Sequence, residues 1–283
     1  MKIIKSILEF ISKYFKSLIF LLILYLIFAP AKKVNFEKPN LMDIQLTGPI
    51  MNDRKFLKQI DIAMKSNIKG VLLVVNSPGG AVAPSIEMSL AIKRLREKKP
   101  VVAYAKGLMA SGSYYASIWA DKIIANPGAI IGSIGVIFES PNIEELANKL
   151  GIKEQVVKRG KYKQVGTPTR AWKPYEKAEL QKMIDSTYNM FVSDVAKARK
   201  LDISKQDDFA QAHIFSAKDA IKVGLVDEIG TIYEAKKEII KLSGVKKVIW
   251  RKKDKYEKFL DKVISKLSFS IFSYFWGVKA SVY

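Results

Sequence analysis

The sequence predicts a mainly parallel α/β sheet, and three observations carry that expectation. Short β-branched apolar runs alternate with stretches of helical spacing. The run Gly70 to Val75 is apolar throughout and bounded by turn residues, as befits a strand buried on both faces. Glycine-bearing turns close consecutive strands, where open α/β folds bind their ligands.

In chain order, Asp43 to Ile50 reads as the first strand and Phe56 to Asn67 as a helix. Gly70 to Val75 is the second strand, and it runs into Asn76-Ser77-Pro78-Gly79-Gly80. Ile86, Leu90, Ile92 and Leu95 repeat at helical spacing across residues 84 to 97; Pro100 ends that helix, and Val101 to Ala105 makes the third strand. A turn is expected over Lys106 to Ala110, a helix over Ser111 to Ala120, and short strands over Asp121 to Ala125 and Ile134 to Phe138. Further on, Lys153 to Lys158 reads as a strand and Lys161 to Lys173 as a polar loop. Pro174 to Lys200 is a long amphipathic helix with proline in its first turn. Ser216-Ala217-Lys218-Asp219 resembles a capping box with Asp in place of Glu, and Gly224 closes that helix.

Composition removes whole classes of chemistry. The 283 residues contain no cysteine and one histidine, His213, which excludes disulfide scaffolds, thiol nucleophiles and multi-histidine metal sites. No metal or other cofactor is expected. The net charge of +21 is concentrated at the ends: residues 1 to 33 hold six lysines against one glutamate, and residues 246 to 283 hold ten basic against three acidic residues. With no helix-turn-helix, zinc-finger or RNP-like signal between them, this charge points to an anionic membrane surface rather than to nucleic acid.

The N-terminus fits that reading. Lys2, Lys5, Lys13 and Lys16 precede an uncharged apolar run from Ser17 to Ala31, a basic front before an apolar segment. Cleaved signal and retained anchor are both open. Ala29-Pro30-Ala31 resembles a cleavage site, but proline there suits signal peptidase poorly, and the apolar residues of 3 to 15 extend the surface, so the anchor is favoured. A basic front leaves the N-terminus in the cytoplasm. Three parts are therefore expected: a basic amphipathic segment and anchor over 1–33, an α/β domain over 34–245, and a basic amphipathic tail over 246–283 that lies on a bilayer or packs on a sister subunit.

Two turns carry the candidate chemistry. Gly79 and Gly80 allow backbone N–H groups to approach a ligand closely, although neither nucleotide-binding glycine pattern is present. Ser111 opens a helix, where N–H groups and the helix dipole converge on its hydroxyl; serving only as the helix N-cap is the plain alternative.

Taken together, Val75 to Gly80, the Gly107 to Tyr115 stretch with Ala110-Ser111-Gly112, Asp121 to Pro127 with Gly132-Ser133-Ile134-Gly135-Val136, and Gly224 to Gly230 resemble the signal peptide peptidase A family. The resemblance runs from about residue 41 to residue 242, in the short, single-repeat form of that family. It implies a ClpP/crotonase-like βαβ superhelix and a serine endopeptidase with Ser111 as nucleophile and Lys163 as general base. A serine hydroxyl needs a base, and a neutral lysine is the natural one in a chain with one histidine. By residue pattern alone Lys161 and Lys106 compete; the motif alignment selects Lys163. The expected oxyanion donors are the backbone N–H groups of Gly80, Gly79 and Gly112, with Ser133, Ile134 and Gly135 along an extended peptide. The resemblance further implies signal-peptide remnants as substrates, a closed homo-oligomer (an octamer by analogy), and a single-pass protein of the cytoplasmic membrane with its catalytic domain outside the cytoplasm. An acyl-CoA enzyme of crotonase type and an inactive membrane scaffold are the rivals. An export segment disfavours the first, and the presence of both Ser111 and Lys163 the second.

Overall fold

The computed structural model describes residues 2–28 and 38–252. The chain divides into two compact units, Met1–Glu37 and the part that begins at Lys38. The first unit holds α1 (Lys2–Phe28), which exposes Ile7, Phe10, Phe15 and Leu22 among its lysines. No helix among the described residues is long and apolar enough to cross a membrane. Ala29 to Ala31, and the expected tail helix beyond residue 252, lie outside the described residues.

The second unit is the expected α/β sheet. It runs β1 (Leu41–Thr47), α2 (Arg54–Ala63), β2 (Gly70–Ser77), α3 (Val82–Arg96), β3 (Val101–Ala110), α4 (Gly112–Ser117), β4 (Lys122–Ala125) and β5 (Ile130–Gly132). There follow α5 (Glu144–Lys149), α6 (Pro174–Arg199), α7 (Gln206–Phe209), β6 (Ile214–Ser216), α8 (Ala217–Lys222), β7 (Glu228–Ile229) and α9 (Ile232–Ser243). The main path of the sheet is β1-β2-β3-β4-β7, all parallel; β5 adds in parallel to the distal half of β3, and β6 pairs antiparallel with β5.

The unbroken apolar run of β2 is explained by two cores. Val71, Leu73 and Val75 point into the larger core with Ile92, Leu95 and Tyr114, while Leu72 and Val74 face a smaller one under α9 with Ala235 and Ile239. Period-two alternation would leave one face wet; here both are dry. The Gly224 to Gly230 motif is a clamp. Asp227 accepts from the Ile123 N–H at 2.7 Å and pairs with Arg199 at 2.6 Å, tying β4 to the end of α6, while the buried Tyr114 hydroxyl donates to Leu225 O.

Three expectations need correction. Lys106 to Ala110 is not a turn but the continuation of β3, because the extra residues are absorbed as a bulge: Val75 pairs with Ala105, Ser77 with Met109, and Asn76 Oδ1 accepts from the Leu108 N–H at 3.0 Å. The strand expected over Ile134 to Phe138 lies earlier, at Ile130–Gly132, since Ser133 turns the chain with φ 50° and ends the ladder. Lys153 to Lys158 is not a strand. It is irregular and exposed, Val157 wholly so, and finds no ladder partner among the described residues.

Candidate active site

The turn after β2 and the turn after β3 are pressed together. A Cβ on Gly79 would sit 2.5 Å from Gly112 N and 2.9 Å from Ser111 Cβ, so only glycine, here with φ 89°, permits the approach. Gly80 meets Ile50 in an isolated parallel bridge, in which Ile50 uses Gly79 O at 2.8 Å and the Ala81 N–H at 2.7 Å. That pattern leaves the Gly80 N–H unused by Ile50, and a Cβ on Gly112 would be 3.4 Å from Gly80 N. Gly112 is the first residue of α4, where an N–H has no partner within the helix. Gly80 N and the first residue of α4 thus lie close together beside Ser111.

Ser111 itself is strained. Its φ of 51° and ψ of −127° are those of a turn position that glycine ordinarily takes, a conformation costing about 1–3 kcal/mol for a residue with a Cβ. It sits at the N-cap of α4 yet makes no side-chain cap bond, so the capping alternative does not account for its hydroxyl. Its backbone is pinned instead: the N–H donates to Gly132 O at 2.8 Å and the carbonyl accepts from Tyr115 at 3.0 Å. Ser77 and Ser113, both fully buried, lock the two turns together. The Ser113 hydroxyl donates to Ser77 O at 2.6 Å and accepts from the Ala110 N–H at 3.0 Å.

Ser111 opens onto a small cavity, continuous with solvent, whose lining includes Gly80, Gly112, Tyr115, Gly135 and Val136. Of the residues expected along a peptide, Gly135 lines this cavity. Ile134 is fully buried in the core, and the Ser133 N–H is engaged by His213 O at 2.7 Å. The Gly79 N–H donates to Ser77 Oγ at 3.2 Å, so it is already committed within the turn. His213 is exposed, and its backbone brackets the 132–134 segment.

Lys163 lies elsewhere. It is exposed on the turn that follows Gly160 and is not among the residues lining the cavity. That turn belongs to an arm, residues 136–173, with α5 as its one helix; Ile137, Leu146, Leu150, Ile152 and Val157 are exposed along it. The arm is anchored at its far end by Arg170, which grips the buried Glu176 of α6 with two 2.8 Å hydrogen bonds. That guanidinium, helped by the Lys173 N–H, holds the Glu176 carboxyl down at about 2. Lys161 is occupied, its ammonium 4.9 Å from the Tyr175 ring and 5.4 Å from that of Tyr162.

The site's other half escaped the sequence reading. Thr187, Met190 and Phe191 on α6 form the cavity wall opposite Ser111, and Ser85 of α3 backs Gly112. Their helical spacing was visible; which neighbour that face of α6 meets depends on a contact between residues some seventy positions apart.

The family model for peptidase family S49 matches residues 93–246, more than half of the chain, a span that includes Ser111 and Lys163. The chain belongs to peptidase family S49. Among its relatives, a candidate protease of Methanocaldococcus jannaschii is 46% identical over 185 residues, 65% of this chain and 60% of that protein. A candidate signal peptide peptidase of Enterococcus faecium is 36% identical over 181 residues, 63% of this chain and 53% of its own length. The chain thus spans about half to three fifths of these relatives. Among solved structures, the membrane-bound stomatin-specific protease 1510-N shares the S49 chain's fold with a TM-score of 0.53 at 14% identity, over 77% of this chain and 99% of that one.

Proposed function

We propose that this S49 protein is a membrane-held serine endopeptidase that hydrolyses extended peptides, typically signal-peptide remnants and other membrane-derived peptides, through a Ser111–Lys163 dyad. The observation that carries the reading is the state of Ser111: a strained serine, its hydroxyl free of the cap, in a turn pressed against Gly79 and Gly80. In this reading the Lys163 amine takes the proton as Ser111 Oγ attacks the scissile carbonyl. The Gly80 and Gly112 N–H groups hold the oxyanion, and the ammonium of Lys163 then protonates the departing amine. Water, deprotonated by the same amine, releases the acyl group and restores Ser111. Gly79 contributes by letting the turns touch rather than as a donor. The peptide lies along Gly135 and Val136.

Assembly enters because Lys163 sits on an arm rich in exposed apolar side chains. A closed homo-oligomer, by family analogy an octamer, covers the arm and brings Lys163 to a Ser111. The basic, apolar α1 holds the catalytic unit at the outer face of a cytoplasmic membrane. The decisive experiment is peptide hydrolysis by four variants. Ser111→Ala and Lys163→Ala abolish it with melting temperature retained, whereas Lys161→Ala and His213→Gln keep most of it. Full loss in His213→Gln at wild-type stability would overturn the dyad.

A further inference from the structure

One polar contact at the back of the cavity is not used by this chemistry. Tyr115, one helical turn after Ser111, lines the cavity and is almost entirely buried. Its ring lies against Phe191 of α6, centroid to centroid 4.5 Å, and its hydroxyl donates to Asp194 Oδ2 at 2.5 Å. Burial, followed by the hydrogen bond to Asp194 and its negative charge, pushes the phenol well above its ordinary value, so Tyr115 stays a donor throughout the working pH range. Thr187, Met190, Phe191 and Asp194 stand at i, i+3, i+4 and i+7 along α6, a single stripe. The first three line the cavity, and the fourth holds the tyrosine that forms its back wall.

We propose that Asp194 is a positioning residue that sets substrate specificity: by fixing the Tyr115 hydroxyl it locks α4 to α6 and fixes the depth of the cavity beside Ser111. With the Tyr115 and Phe191 rings held tilted against each other, the back of the cavity is closed, and the space takes a small or short aliphatic side chain from the residue preceding the scissile bond. Without the tether, the Tyr115 ring can swing and Phe191 can shift. Room for aromatic and long aliphatic side chains then opens. The inference rests on the peptidase reading, since the cavity discriminates side chains only if a peptide is presented to Ser111.

The test is a double-mutant cycle on Tyr115 and Asp194, read as a preference rather than as an activity. For wild type, Tyr115→Phe, Asp194→Ala and the double variant, kcat and KM are measured on peptides carrying Ala, Leu or Phe before the scissile bond. In parallel, labelling rates are compared for fluorophosphonates with small and bulky alkyl groups. The expected result is that either single change lowers the Ala-to-Phe ratio of kcat/KM about tenfold, chiefly through KM, and that the double variant lowers it no further. Asp194→Asn, whose amide oxygen still accepts from the hydroxyl, restores a ratio within about threefold of wild type. If Asp194→Ala fails to fold, the isosteric Tyr115→Phe decides alone. Wild-type ratios in Tyr115→Phe, or additive shifts in the double variant, would overturn the proposal and leave the peptidase intact. A wild-type protein that neither cleaves peptides nor reacts with either fluorophosphonate would instead remove the reading on which the proposal stands.

Discussion

The two catalytic candidates live in regions of opposite physical character. Ser111 is held by buried strands and turns in which each backbone direction is dictated by a neighbour: Gly132 O takes its N–H, Tyr115 takes its carbonyl, and Ser77 and Ser113 tie the turns to each other. Lys163 sits on an exposed arm whose stretch of strand composition has no ladder partner among the described residues and on which Ile137, Leu146, Leu150, Ile152 and Val157 are exposed. A strained nucleophile needs an over-determined frame, because about 1–3 kcal/mol of strain persists only where the surroundings enforce it. A base on a long arm can be supplied after assembly. On the proposed reading, the nucleophile half is complete within one chain and the base half waits on assembly.

The comparison breaks most visibly at Ser111 and Lys163. Ser111→Ala eliminates turnover, and Lys163→Ala lowers kcat by on the order of 10⁴-fold or more, as expected when members of one catalytic unit are removed singly. Because Lys163 is exposed, its loss changes unfolding free energy by less than about 0.5 kcal/mol in denaturant titrations. A large stability loss would place Lys163 in the fold instead of in the chemistry.

Gly80→Ala strikes the frame itself. Its Cβ would collide with the Ile50 carbonyl oxygen and occupy a positive-φ position, so both activity and stability fall, the latter by several kcal/mol. An alanine variant with wild-type melting temperature would show that the bridge to Ile50 is dispensable.

Sharpening the other side, the Arg170–Glu176 pair is the arm's anchor, and its pH dependence has a definite sign. The Glu176 carboxyl is held at about 2, below its unfolded value of ~4.3. The stabilisation is therefore complete above the unfolded value and is lost as pH falls from there toward 2. Proteolytic nicking of the arm should rise over that acid window in wild type and be insensitive to pH in Glu176→Gln, whose arm is loosened throughout.

The smallest effect is the most diagnostic of strain. Ser111→Gly removes the nucleophile yet relieves the positive-φ backbone conformation, so this inactive variant is more stable than Ser111→Ala by about 1 kcal/mol in denaturant titrations.

The same contrast decides what could be read from residues alone. The βαβ order was legible because apolar runs such as Gly70 to Val75 encode burial on both faces, and the glycine turns were legible because no other residue fits them. Lys106 to Ala110 misled because a bulge and a turn share their residue types; the partner strand and the Asn76 side chain choose between them. Lys153 to Lys158 has strand composition, but composition cannot supply a ladder partner. At the site, Ala-Ser-Gly at a helix start fits a plain N-cap equally well and Ser111 stands out only through the family resemblance, whereas Thr187, Met190 and Asp194 are brought to the cavity only by the packing of α6.

The central claim, that Ser111 is a pre-set nucleophile activated by a lysine of the arm, is tested most directly by reacting the full-length protein with a fluorophosphonate and locating the adduct by peptide mass spectrometry. The account predicts a single modified residue, Ser111, with a labelling rate that drops at least a hundredfold in Lys163→Ala and hardly at all in Lys161→Ala. An adduct on another serine, or Ser111 labelling at the wild-type rate without Lys163, would contradict it.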